Sequence, residues 1–298
     1  MLRFLAYRYF LVPFEDQLTI HHLIFDKKEL VFNIFKTLQN DKKISTVYWN
    51  KRYVLYKTET LVDGLYVCKF AREKNITIDK EGFTDIESMA ESSFPYIYVI
   101  IDLHRQIILI QDKPSVFSRI NPPKNAFASM FNSLIEKFDY EFTLDEITSQ
   151  KQFWQFYKEN EGIFEFQLRM KSPNLFGGIF DAENLLKQIN EDFNNTETTL
   201  KVKNDKGKLK LSREKIESFI KYVSGGGGEW VLKILTPKRV VRRISSKHLT
   251  RTVEFTSTDY INNRELVIRE LTRVDEVITE ITYPTEKNKD TNNHENEN

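Results

Sequence analysis

A single cysteine, Cys68, stands in 298 residues, so no intramolecular disulfide can form and a cysteine-built zinc site is excluded. Its place in the apolar run Leu65-Tyr66-Val67-Cys68 marks a core thiol. Histidine is scarce as well. None of His21, His22, His104, His248 and His294 forms an i, i+4 pair of the zinc-protease kind, and neighbours such as His21 and His22 put only one ring on a given strand face. No metal site is expected. A G-x-S-x-G nucleophile motif is missing, and no GxGxxG or Gly-Lys-Ser/Thr follows a strand candidate, so no cofactor is expected either. Long apolar runs are also lacking: the longest uncharged one, 94–101, is far short of the roughly 20 residues that span a bilayer. The N-terminal Met1-Leu2-Arg3-Phe4-Leu5-Ala6-Tyr7-Arg8 is broken by arginines and has no cleavage-site pattern. These absences predict a cytoplasmic protein without membrane insertion.

What is present is ordinary globular material with generous aromatics, 23 Phe, 13 Tyr and 3 Trp, enough for sizeable cores. The length suits two domains of roughly 100 to 150 residues each. Net charge is only +1, yet its distribution is uneven. From 201 to 251 the chain carries fifteen basic residues against Asp205, Glu214, Glu217 and Glu229, so this stretch is +11 and the remainder −10. Such asymmetry points to a polyanionic partner.

Hydrophobic periodicity assigns strands to 4–13, 47–58 and 61–70, with a turn at Asp63-Gly64, and an amphipathic helix to 28–38. A short helix is expected at 84–90. The runs 94–101 and 106–110, joined through His104-Arg105, read as a hairpin covered on both faces. A helix follows at 126–138 behind Pro122-Pro123. The aromatic stretch Phe153-Trp154-Gln155-Phe156-Tyr157 is more apolar than a solvated linker and suits a homodimer interface. The linker 158–162 places the boundary between an N-terminal α/β domain, 1–158, and a basic C-terminal α/β domain, 159–283. In the latter, strands 163–170, 198–202 and 230–235 alternate with helices 181–193 and 212–223, after a turn at Ser172-Pro173-Asn174. The stretch 239–255 is ambiguous, and 261–272 reads equally as helix or strand. Gly225-Gly226-Gly227-Gly228 stops a helix and precedes a strand, the reverse of a phosphate-loop order, and reads as a flexible turn. The polar end, 284–298, is expected to be disordered. The fold class is therefore α/β (α+β): two mixed domains with helices packed on sheets.

Two weak catalytic patterns stand beside the charge signal. Arg243 and His248 have the Arg-x4-His spacing that resembles HEPN-type ribonucleases, a metal-independent alternative in which they would act on phosphate and ribose hydroxyl; that family is all-helical, and these surroundings are β-rich. Asp145 with Glu165-x-Gln167 resembles the acidic core of restriction-type nucleases but lacks the usual lysine. The basic segment is the stronger signal, because phosphate contacts need no exact geometry. Lys206, Lys208, Lys210, Lys238, Arg239, Arg242, Arg243 and Lys247 are the candidate nucleic-acid contacts.

From Trp49 to Phe70, through Glu91-Ser92-Ser93-Phe94-Pro95 opening a strand pair, then a helix and a second α/β half, the chain resembles the sensor family of the lambda phage Rex exclusion system, over about 51–235. The resemblance implies two α/β domains, a homodimer, sequence-tolerant binding of double-stranded DNA, and a role in abortive infection alongside a membrane or toxin effector. It carries no catalytic residue. The expected function is thus non-enzymatic DNA binding in anti-phage defence; the rivals are the ribonuclease toxin and a protein-interaction subunit of a defence complex.

Overall fold

The computed structural model describes residues 1–13, 27–41, 43–81, 85–119, 121–171, 181–278 and 281–284. His21, His22, His294, the turn at 172–174 and the tail 285–298 lie outside them. The protein is mixed α/β, with helices packed on sheets.

The first sheet has eight strands, β1 (Leu2–Pro13), β2 (Lys43–Tyr48), β3 (Lys51–Val62), β4 (Leu65–Arg72), β7 (Tyr96–Asp102), β8 (Ile107–Gln111), β9 (Tyr140–Glu146) and β14 (Thr252–Phe255). Its order is β14-β1-β8-β7-β4-β3-β2, all antiparallel, and β9 takes over from β14 along the second half of β1. The unbroken apolar runs of β7 and β8 sit in the middle, where both faces are covered and every residue of β8 is buried. On one face lie α1 (Lys27–Asp41) and α2 (Asn121–Ile135), whose stripes of Leu30, Val31, Ile34 and Phe35, and of Phe127, Met130 and Phe131, meet Tyr9, Leu55, Phe70 and Ile101.

The other face meets the short α6 (Thr258–Ile261) through Ile261 and α7 (Arg264–Val274) through Val267, Leu271 and Val274, in one core with Phe4, Val67, Ile100 and Leu109. Asn263 decides the ambiguity at 261–272 for helix, because its side-chain oxygen accepts the Leu266 N–H at 3.1 Å. Such a cap contributes about 1 kcal/mol. The cover is partial. On the same face Lys43, Ser45, Val47, Arg52 and Tyr56 are exposed, and Lys69, Tyr96 and Tyr98 half-buried.

The expected helix at 84–90 is instead β6 (Ile86–Ser93), which pairs with β5 (Lys74–Glu81) as a two-stranded arm. The cross-strand pair Ile78–Met89, the Lys80–Glu91 ion pair and the Ser88–Asp79 hydrogen bond overrode a local preference for helix.

The second sheet runs β11-β10-β12-β13, from β10 (Gly162–Lys171), β11 (Glu197–Lys203), β12 (Gly228–Leu235) and β13 (Val241–Ser245). One face is covered by α3 (Gln150–Glu159), α4 (Asp181–Phe193) and α5 (Arg213–Tyr222), with Phe153, Trp154, Leu186, Ile220 and Tyr222 packed on Phe166, Leu168, Trp230 and Leu232. Two of the four rings of α3 are therefore consumed inside the chain: Phe153 is 0% exposed and stacks edge-on against Trp230 at 5.2 Å, and Trp154 is buried beside it. Buried there, Phe153 and Trp154 are not available to the homodimer interface expected of this stretch.

A single boundary at 158/159 does not describe these sheets. The chain leaves the first sheet after β9 and returns to it at β14, whose Val253 and Phe255 are buried beside Phe4. The second sheet is thus inserted between two parts of the first. β1 needs a partner on its outer side, and Leu2 to Leu5 find one far along the sequence, at Phe255 to Thr252.

Candidate nucleic-acid interface

Alternation puts Phe166, Leu168, Trp230, Leu232 and Ile244 on the helix-covered face of the second sheet. The residues opposite them form an open face. Register aligns Lys203, Glu165, Lys233 and Arg243 in one row across all four strands, a span of roughly 14 Å at about 4.8 Å per strand. Glu165 anchors the row, with Lys201 at 3.1 Å and Lys203 at 3.8 Å. Burial pushes its carboxyl up, but the hydrogen bond from Lys201 and the charges of Lys201, Lys203 and Arg243 outweigh this and hold it below its ordinary value.

Two loops meet at the end of the sheet where β10 begins. Gly162 pairs with Leu235, the last residue of β12, and Ile163 forms a bridge to Lys208. The loop 204–210 is ordered by Asn204, whose side-chain oxygen accepts the Lys206 and Lys208 N–H groups at 3.0 and 3.2 Å. Gly207, at φ 70°, lies flat on the Phe164 ring, where a β-carbon would crowd it. The turn 236–240 is closed by Arg239 N–H to the Thr236 carbonyl at 2.8 Å and by Thr236 N–H to the Val240 carbonyl at 3.0 Å. It holds Arg239 at φ 56°, a left-handed conformation that costs a non-glycine residue on the order of 1 kcal/mol.

Of the expected contacts, Lys206, Lys208, Lys238, Arg239, Arg242 and Arg243 lie on the loops and edge strand of this end; Arg243 stands beside Lys233 on the open face, whereas Arg242, opposite the buried Ile234, points to the helix-covered side. All are exposed, and none has a carboxylate partner within ion-pair distance among the described residues. Lys210 is exposed one step further on, between Leu209 and Leu211, which pack on the second core. Lys247 lies apart: it follows the other end of β13 and pairs with Glu229 at 3.3 Å.

The catalytic patterns are not assembled in the same way. Arg243 sits within β13 and His248 closes a 3-10 turn, so their spacing falls across a strand end rather than along a helix. Asp145, on β9 of the first sheet, is held by Lys171 at 2.5 Å, while Glu165 and Gln167 stand on the second sheet with Glu165 bound to lysines. Among the described residues no three His, Cys, Asp or Glu side chains gather as a metal site. Cys68 is buried, and desolvation pushes its thiol up to about 12. His104 Nε2 lies 2.8 Å from the Asp63 carbonyl oxygen, and the ring packs against Phe32 and Tyr283, a structural role. No helix among the described residues is long and apolar enough to cross a membrane.

Sequence reasoning missed the other charged cluster, which is wholly buried. Arg8 of β1 donates through Nε to the Gly225 carbonyl, through Nη1 to the Arg105 carbonyl at 2.7 Å, and through Nη2 to Asp275 at 2.7 Å. Arg105 donates to Asp275, the Ile278 carbonyl, Thr272 and Tyr283, and the Tyr283 hydroxyl donates to Asp102 at 2.6 Å. Asp275 also accepts the Val277 and Ile278 N–H groups. Each guanidinium is occupied by protein partners, so this cluster holds segments together rather than binding a ligand. The four glycines belong to it. All of 225–227 are buried, and a methyl at Gly225 would overlap Val277, at Gly226 the Arg8 side chain, at Gly227 the Tyr222 ring and at Gly228 the Arg169 carbonyl. The expected flexible turn is therefore a packed joint between the sheets. Arg8 flanked by Tyr7, Tyr9 and Phe10 in a core strand was the available signal. Comparison with protein-family models, with curated proteins and with solved structures returns no match, so the interface rests on its geometry alone.

Proposed function

We propose that the protein binds double-stranded DNA, with little base specificity and without catalysis, through the basic end and open face of the second sheet. The observation that carries this reading is the convergence of two ordered basic loops and a basic edge strand, whose exposed cations have no carboxylate partners among the described residues. Lys and Arg held in this way neutralise phosphates and release counterions. The row from Lys203 to Arg243 is comparable in width to a major groove of roughly 12 Å. No aromatic ring stands among its directly paired residues, which favours backbone contact over base stacking. The resemblance to the Rex exclusion sensors supports placing this activity in phage abortive infection, as a homodimer acting with an effector partner.

The test is titration of a labelled duplex of about 20 base pairs by fluorescence anisotropy at several salt concentrations. Five phosphate contacts give a slope of log affinity against log salt of roughly −4 to −5. Lys238→Glu with Arg239→Glu and Arg242→Glu weakens binding to all sequences alike and flattens that slope. Thermal melting stays close to wild type, since such surface changes typically alter stability by about 0.5 kcal/mol or less each. Undiminished binding by the folded triple variant places the contact surface elsewhere, and absence of wild-type binding at about 50 mM salt ends the DNA reading.

A further inference from the structure

The uncovered corner of the first sheet has a composition the second sheet lacks. Register places Lys43, Tyr56, Lys69 and Tyr98 in one row, and Ser45, Val54, Ala71 and Tyr96 in the next, where Val54 and Ala71 are themselves buried. Tyr56 is 43% exposed, and Tyr96 and Tyr98 are half-buried. Two ammonium groups lie over one ring: Lys69 is 4.6 Å and Lys113 5.2 Å from the Tyr96 centroid, and Lys69 is also 5.9 Å from that of Tyr98. Tyr96 and Tyr98 meet edge to face at 5.5 Å. The hydrogen bond with Tyr98, and after it the hydrogen bond and charge of Lys69 and the charge of Lys113, outweigh burial and hold the Tyr96 phenol below its ordinary value.

The charge is unbalanced. Neither Lys69 nor Lys113 has a carboxylate partner among the described residues, and Lys43 and Arg52 add two exposed cations to the same face. Glu73 accepts a hydrogen bond from Ser92 at 3.0 Å, and Asp112 lies 3.9 Å from Arg3. At the end of the same hairpin Trp49 is 79% exposed and held at φ 50°.

A flat sheet face with rings among unpaired cations suits a polyanion whose own flat groups are free to stack. In a duplex the bases are already stacked on each other, whereas in a single strand they are available. We infer that this face binds single-stranded nucleic acid, with Lys43, Arg52, Lys69 and Lys113 on phosphates and Tyr56 and Tyr98 stacking on bases. Tyr96 orients the two lysines. The site is separate from the basic end of the second sheet and does not depend on it.

The experiment is anisotropy of labelled dT20 with the full chain. Wild type binds at about 50 mM salt, and Tyr56→Ala with Tyr98→Ala weakens binding by roughly 5- to 100-fold per ring. Phenylalanine at the same two positions retains most of the affinity, because stacking needs the ring and not the hydroxyl. Because Tyr98 also packs against the core, Lys69→Glu with Lys113→Glu is the second variant; it loses dT20 binding without touching a buried ring. The triple variant Lys238→Glu, Arg239→Glu, Arg242→Glu binds dT20 as wild type does, whatever becomes of its duplex binding. Wild-type affinity in the folded tyrosine or lysine variant overturns the inference. So does binding to anionic phosphatidylserine vesicles with none to dT20, which assigns the face to lipid.

Discussion

Arginine occurs here in two opposite settings. Arg8 and Arg105 are 0% and 2% exposed and spend their donors on Asp275, Tyr283, Thr272 and three backbone carbonyls. Arg239, Arg242 and Arg243 are exposed and have no carboxylate partner among the described residues. Taking a guanidinium out of water costs several kcal/mol, so a buried one must be surrounded by acceptors and cannot be altered alone. An exposed one keeps its water, contributes little to stability and stays available to a ligand. The first pair fixes the shape of the molecule; the second group is free to serve binding.

Removing a buried partner should break this contrast most strongly. Arg8→Met leaves Asp275 charged without its 2.7 Å partner and is expected to cost about 3–5 kcal/mol in urea denaturation. Cys68, buried in the same sheet, provides a second readout: thiol labelling at pH 8, nearly silent in wild type, accelerates in the variant. A loss below about 1 kcal/mol would mean that the cluster tolerates a missing member as a surface pair does.

A smaller effect is expected at the joint. Gly225→Ala drives a methyl into Val277 and should cost about 1–3 kcal/mol. Val277→Ala in the same chain recovers part of that loss, whereas strictly additive losses would show that the two side chains do not compete for space.

The mildest test is a pH dependence. Burial raises the Asp102 carboxyl above its ordinary 3.8, although the Tyr283 hydrogen bond and Arg105 pull it down. A carboxyl whose pKa is higher folded than unfolded binds more protons in the native state, so its contribution is fully present below 3.8 and is lost as pH rises through the folded value. Wild type, compared with Asp102→Asn, is therefore expected to gain relative stability between pH 7 and pH 4. A flat difference across that range would show that Asp102 titrates as it does in the unfolded chain.

What could be read from sequence was what is decided locally. The apolar runs of β7 and β8 and the stripes of α1, α2 and α5 follow from spacing a few residues long, and all form where expected. β6 did not, because Ile86-Glu87-Ser88-Met89-Ala90 is compatible with a helix until β5 is set beside it. The basic loops were visible as charge. Their meeting at one end was not, since it depends on Gly162 lying opposite Leu235. The buried cluster was least legible: Arg8 and Gly225 are 217 residues apart, and only the folded chain shows that the glycines make room for that arginine. The tyrosines of the open corner were counted among core aromatics, because the extent of α7's cover cannot be read from the strands beneath it.

The return of β14 to β1 has a consequence for biosynthesis. A chain emerging from the ribosome presents β1 well before β14 and the Asp275 segment that neutralises Arg8, which arrive only after all four strands of the second sheet. The inserted sheet has its strands within 162–245 and can close as soon as that stretch is out, while the older half of the chain waits with an open strand edge and an unpaired arginine. The pairing that completes the outer edge of β1 therefore waits until 252–255 have emerged, and until then that edge is open to misassembly.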